Sequence, residues 1–406
     1  MHYALKNMNI LFLTLSRIED INARGIYTDL MRVLIDQGNN VFIASPTERR
    51  FGKKTHVIKG DNYEILKIKT LNIQKTNVVE KGIGTLLLES QFNKAISRQW
   101  GNKKFDLVLY STPPITFNKV IKKIKSRFGA KSYLLLKDIF PQNAVDLGMF
   151  SKSSPLYKLF RRKEKVLYEI SDRIGCMSPA NVEYVLRHNP EFSKNKVEVF
   201  PNSMIPLPYK PATDIEREDL KLSLGIDPKK VLSLYGGNLG KPQGIDYLIE
   251  VIKENENHEN HHILIIGNGT EYGKLNRWFK ENKPKNSTLK ARLPKAEYDQ
   301  LARCADIGLI FLDHRFTIPN YPSRLLSYLE NGIPVMAATD PNTDIGSIAE
   351  AEGYGVWCES NDVNSFFEKI EPLISNSELR KKMGEKGRRY FEEIGLGSAS
   401  LVERFF

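Results

Sequence analysis

The sequence predicts an α/β chain made of two doubly wound domains, each a mostly parallel sheet covered by helices. Three observations carry that expectation. The composition is that of a folded protein, with 406 residues, 41% hydrophobic and 27% charged, long enough for two independent cores. Short apolar runs of strand length alternate with amphipathic helical stretches along the whole chain. Between the two runs lies Phe200 to Pro211 (FPNSMIPLPYKP), whose four prolines remove backbone donors and bias the chain to extended conformations, as a linker requires.

In the first half, NILFLTL over 9–15 has the unbroken apolar character of a buried parallel strand and leads into the loop 16–25. Ile26, Leu30, Val33 and Leu34 then recur at helical spacing, Gly38 closes the helix, and Val41 to Ala44 forms the next strand. Further strands are predicted at 106–110, 132–136 and 173–177, separated by helices around 83–100, 115–128 and 154–171. In the second half, strands are predicted at 231–235, 262–266, 288–291, 306–311 and 334–337. Residues 1–203 are assigned to the first domain, 204–390 to the second, and 391–406 to a carboxy-terminal helix returning to the first. Two such sheets facing each other would place a cleft at their carboxyl edges, where open α/β sheets bind ligands.

Charge separates the halves. Residues 1–205 hold 34 Lys and Arg against 18 Asp and Glu, and residues 206–406 hold 26 against 30. Basicity confined to one domain implies an anionic partner for that domain alone. Nucleic acid is not expected, because no known module and no aromatics set among the charges accompany it. In FNKVIKKIKSRF (117–128) and PLYKLFRRKEKV (155–166), basic residues flank apolar ones, a pattern that suits an anionic membrane surface. The first stripe would equally serve to pack on the sheet. Residues 1–9 lack the apolar run of a signal peptide, and no stretch reaches the ~20 apolar residues needed to span a bilayer. A cytoplasmic protein held peripherally on the inner face of the membrane is therefore expected. Cys176, Cys304 and Cys358 are single and scattered, with no disulfide or metal spacing. His258, His261 and His262 read as a solvated turn.

Three segments carry chemistry. In LYGGNLGKPQGI (234–245) a strand runs through Gly236, Gly237, Asn238, Gly240, Lys241 and Gly244 into a helix. Glycines admit backbone amides to an anion, the helix offers its positive end, and Lys241 adds a mobile charge. A tight turn with Lys241 in solvent is the competing reading. The spacing is not that of a nucleoside-triphosphate P-loop. GNGTEYG (267–273), with Gly267, Asn268 and Gly269, approaches a dinucleotide fingerprint but has one extra residue and follows the second strand. It leaves an NAD(P)-dependent oxidoreductase as the alternative function, and a packing turn as the structural alternative. In PSRLLSYLENGIPV (322–335), Ser323, Arg324, Ser327 and Glu330 follow a helix start at Pro322. In the first half, LLLKDIFPQN (134–143) sets Asp138 just past a buried strand, as a general base on an acceptor hydroxyl or as a helix cap.

Taken together, YGGNLGKPQGI, IIGNGTEYG, ARLPKAEYDQLARCADIGLIFL and PSRLLSYLENGIPV resemble, in order and spacing, the GT-B glycosyltransferases of the glycogen-synthase-like family four. The likeness is to bacterial members that build capsule and O-antigen polysaccharides. It implies two Rossmann-like domains facing across a cleft, a nucleotide sugar in the second domain, an acceptor in the first, and no metal or other cofactor. The sequence has no Asp-x-Asp. By the same resemblance, Gly237 and Lys241 border the donor diphosphate, Arg292 and Leu293 the base, and Gly25 the loop closing over the donor. Ser323, Arg324 and Leu325 are diphosphate neighbours. Where the family commonly has two glutamates, this chain has Pro319 and Ser327, and Glu330 stands as the substitute toward the ribose. Lys241 and Arg324 would stabilise the departing nucleotide diphosphate. The expected reaction moves a sugar, an N-acetylhexosamine or N-acetyl-deoxyhexosamine, from UDP to a lipid-diphosphate-linked oligosaccharide.

Overall fold

The computed structural model describes residues 7–397 apart from 74, 75 and 77. It divides into two compact units, one ending at Met204 and the next beginning at Ile205, within the proline-rich stretch.

The amino-terminal unit has eight strands: β1 (Asn9–Leu13), β2 (Asn40–Glu48), β3 (His56–Gly60), β4 (Tyr63–Thr70), β5 (Leu107–Ser111), β6 (Lys131–Leu136), β7 (Arg173–Cys176) and β8 (Val197–Val199). Their order is β3-β4-β2-β1-β5-β6-β7-β8, parallel throughout except for the antiparallel edge pair β3 and β4. The order reverses between β1 and β5. In β1 Ile10 to Leu13 are fully buried, and all five residues of β5 are buried, as helix cover on both faces demands.

The carboxy-terminal unit has β9 (Val231–Asn238), β10 (His261–Asn268), β11 (Ser287–Ala291), β12 (Ile307–Phe311), β13 (Val335–Thr339) and β14 (Gly355–Glu359), in the order β11-β10-β9-β12-β13-β14 and all parallel. The reversal lies between β9 and β12, so this sheet's switch point falls where the Gly236-Gly237 loop leaves β9.

Both units are therefore the doubly wound domains that the alternating pattern predicts. The pattern missed β3, β4, β8 and β14. The carboxy-terminal helix runs Ser377–Gly397, and the remainder of the expected 391–406 segment lies outside the described residues. The histidine expectation is corrected. His261 and His262 begin β10 and are buried, His261 between Ser233 Oγ and Asn255 Oδ1, each at 2.6 Å. Burial lowers His261 to about 3 and His262 to about 4. The three cysteines are free and buried.

Candidate functional site

At the carboxy-terminal switch point, Gly237 adopts φ 131°, a conformation that L side chains rarely take, and exposes its backbone. The guanidinium of Arg324, from the helix Arg324–Glu330 that follows β12, lies against it: a Cβ built on Gly237 would sit 3.6 Å from Arg324 Nη2. The guanidinium also stacks on the Tyr235 ring, 4.2 Å from its centre. Arg324 Nη1 is buried and has no hydrogen-bond partner among the described residues. A buried, unpaired cationic donor costs free energy unless something accepts from it, so this atom marks a place for an acceptor group.

The loop after Gly237 is clamped by Gln243. Its Oε1 accepts from Asn238 Nδ2 at 2.9 Å and from the Gly240 amide at 3.1 Å, while Tyr235 Oη donates to the Asn238 carbonyl at 2.8 Å. Lys241 begins the short helical turn Lys241–Gln243, exposed and without a carboxylate partner among the described residues. Gly244 then takes φ 57° against the Asp313 backbone and starts the helix Ile245–Asn255. Gly237, Asn238 and Lys241 thus lie along one loop, with Arg324 against Gly237.

The other expected residues fare differently. Gly236 offers no free amide, since its N–H donates to Tyr328 Oη at 3.2 Å; its smallness instead admits Tyr298, whose hydroxyl a Cβ would meet at 2.0 Å. Gly267 and Gly269 are packing residues, since Cβ atoms there would fall 2.1 Å from the Gly237 carbonyl and 2.2 Å from the Leu239 carbonyl. Asn268 Oδ1 is taken by the Gly269 amide at 2.8 Å. The β10 turn therefore supports the β9 loop rather than cradling a dinucleotide. Ser323 is exposed beside Arg324, and the helix begins two residues after Pro322 rather than at it. Leu325 is a core residue whose amide donates to the Pro322 carbonyl at 3.2 Å. Ser327 faces Tyr298, and Arg292 is exposed and Leu293 half-buried just past the end of β11. Glu330 is corrected outright. It ends its helix at the opposite edge of the sheet, accepting from the Leu207 amide at 3.4 Å, and its carbonyl accepts from Arg388. A seven-residue helix carries it about 9 Å from Arg324, away from the glycine loop.

Sequence reasoning missed Tyr235, Tyr298, Tyr328 and Gln243. Their spacing carries no signal; only the tertiary packing reveals them.

In the amino-terminal unit, Asp138 follows β6, one strand beyond that sheet's own switch point. Its amide and that of Lys137 donate to Thr112 Oγ1 at 3.2 and 2.9 Å, and Asn143 Nδ2 donates to Asp138 Oδ1 at 2.7 Å. Burial raises its carboxyl to about 6, against the lowering effect of the Asn143 amide and the Ile139 N–H, which brings it into the range of a working base. Neighbouring Lys137, half-buried and donating to the Phe200 carbonyl at 3.3 Å, is lowered to about 7 by desolvation. Gly25 caps the helix Ile26–Asp36 in extended backbone, its N–H held by Asp29 Oδ1 at 3.0 Å. It shapes the loop without offering a free amide.

Comparison with known proteins decides the chemistry. Residues 216–390 match the family described as glycosyl transferases group 1. The chain is a glycosyltransferase. It is 24% identical over 293 residues to the probable glycosyltransferase WbjE of Pseudomonas aeruginosa, covering 71% of this chain and 70% of that protein. It is 22% identical over 333 residues to WcaI of Escherichia coli, a putative colanic acid biosynthesis glycosyl transferase, covering 80% and 77%. Among solved structures, Anabaena HepE in complex with UDP-glucose superposes with a TM-score of 0.69 at 13% identity, over 98% of this chain and 99% of that one. The transferase therefore has the GT-B fold. The oxidoreductase alternative falls, both to this assignment and to the packing duty of Gly267 and Gly269.

Proposed function

We propose that the transferase moves a sugar, an N-acetylhexosamine or N-acetyl-deoxyhexosamine, from UDP to a lipid-diphosphate-linked oligosaccharide during synthesis of a bacterial surface polysaccharide. The observation that carries the donor half is the buried, unpartnered Nη1 of Arg324 beside the exposed backbone of Gly237. A diphosphate supplies the acceptor oxygens that this donor lacks, and exposed Lys241, on the same loop as Gly237, is the second charge assigned to it. As the sugar–phosphate bond breaks, negative charge grows on the leaving diphosphate. Fixed cations at that place stabilise the transition state more than the ground state. The UDP assignment draws support from HepE, whose structure holds UDP-glucose, and the polysaccharide from WcaI, named for colanic acid.

Asp138 is the candidate base for the acceptor hydroxyl. Its carboxyl, held near 6, is ionised at neutral pH yet basic enough to take a proton. No metal-binding group of His, Cys, Asp and Glu occurs among the described residues.

The test is isothermal titration of the purified chain with UDP and with a panel of UDP-sugars. Saturable binding that is weakened at least tenfold in Arg324→Met supports the reading. Equal binding by the variant removes its foundation.

A further inference from the structure

We propose that Tyr235 is a positioning residue of the donor site: its ring face holds the Arg324 guanidinium and its hydroxyl holds the glycine loop, so one side chain fixes the cation and the loop backbone together for a single diphosphate. The inference rests on the donor reading above and goes beyond it by assigning what places the arginine.

The helix that carries Arg324 is fastened without help from the arginine itself. Tyr328, one turn further on, is fully buried. Its hydroxyl donates toward the Leu234 carbonyl of β9 at 2.9 Å and the Leu309 carbonyl of β12 at 3.2 Å, and accepts from the Gly236 amide at 3.2 Å. The helix is thereby tied to both strands of the switch point, and what remains to be placed is the tip of a long, rotamer-rich side chain. No carboxylate does this. The ionisable side chains around the guanidinium are Tyr235, Tyr298 and Tyr328, and Arg324 forms no ion pair among the described residues.

The Tyr235 ring takes that role. Residues two apart on a strand share a face, so Tyr235 and Gly237 stand side by side at the end of β9. The missing side chain at Gly237 leaves a space that the guanidinium enters, 4.2 Å from the centre of the Tyr235 ring and 3.6 Å from the place of a Gly237 Cβ. The ring is itself fixed. It is fully buried, its centre lies 5.9 Å from that of Phe311, and its hydroxyl donates to the Asn238 carbonyl at 2.8 Å. That bond fastens the ring to the loop whose backbone Gly237 exposes. An aromatic face attracts a cation without neutralising it, whereas a carboxylate would take its N–H groups and cancel its charge. Held this way, Arg324 stays in place with Nη1 still unpartnered.

The test is calorimetric titration with UDP of the wild type, Tyr235→Leu, Tyr235→Phe, Arg324→Met and the double variant Tyr235→Leu with Arg324→Met, each well below its melting temperature. Tyr235→Leu should raise Kd roughly 5- to 30-fold, and Tyr235→Phe, which keeps the ring face, should stay within about twofold of the wild type. The double variant should bind no more weakly than Arg324→Met alone, because both changes act on one interaction. Leucine also leaves a cavity, so Tyr235→pentafluorophenylalanine is added; it keeps the ring but not the attraction of its face for a cation, and should weaken UDP binding as leucine does. Leucine and pentafluorophenylalanine variants that bind like the wild type or more tightly, losses that add in the double variant, or a phenylalanine variant as weak as the leucine one overturn the proposal. With Arg324→Met weakened, these results leave the donor reading standing. Full affinity in Arg324→Met, or a wild type that does not bind UDP, overturns both.

Discussion

Replacing Arg324 by Met separates a ligand-binding arginine from a structural one, because the first role predicts almost no change in stability and the second a large loss. Methionine keeps the apolar stem and its contact with Tyr235 but removes the guanidinium. Its loss forfeits the stacking on Tyr235, worth about 1–2 kcal/mol at a desolvated site. It also removes a buried donor with no partner, whose burial costs about 1–3 kcal/mol. The two nearly cancel, so folding stability should change by less than about 1 kcal/mol. In UDP binding no such cancellation occurs. A charge-assisted hydrogen bond to phosphate contributes about 1.5–3 kcal/mol, so Kd should rise by roughly 10- to 150-fold. Urea denaturation of the apo protein and calorimetric titration with UDP read the two quantities independently. A variant that loses several kcal/mol of stability and keeps its UDP affinity would show that Arg324 is a structural cation, and the reasoning from its unpaired nitrogen would be refuted.

Other outcomes follow from the same geometry. Gly267→Ala should destabilise by at least about 2 kcal/mol, because its Cβ meets the Gly237 carbonyl, whereas Gly273→Ala, with nothing within 4 Å and a helical backbone, should be neutral or stabilising by about 0.5–1 kcal/mol; melting curves of the two check this. Asp138→Asn should cut turnover by roughly 100-fold or more while leaving UDP affinity intact, and retained turnover would retire Asp138 as the base. His261 is held neutral in the folded state, so only the unfolded chain gains its proton as pH falls through about 6.5, and stability drops by about 2 kcal/mol per such residue between pH 7 and 5. In His261→Asn that drop should be smaller by this amount, measured by urea denaturation at both pH values.

Apolar runs between helical stretches made both sheets legible wherever a strand is buried on two faces, as in β1, β5 and β12. The missed strands break that pattern for physical reasons. β4 alternates charged and apolar residues and buries Lys67, whose amine donates to the Ile18 carbonyl at 2.8 Å; β3 is an exposed antiparallel edge; β8 has three residues; β14 is half-buried. At the donor site, residue types that bring charge or backbone freedom, Gly237, Lys241 and Arg324, could be read from spacing. Glu330 could not be placed, because helical periodicity gives a face and not the height along the axis at which a sheet edge lies. Gly267 and Gly269 look like ligand glycines until the β9 loop is seen filling the space beside them. His261 and His262 looked solvated because their polar neighbours end one residue before β10 begins.

The most direct test of the account is a titration of the wild-type chain with UDP and, separately, with NADH. Saturable binding of UDP, competed by UDP-sugars and absent for NADH, is the predicted result. Binding of NADH with indifference to every nucleoside diphosphate would contradict it.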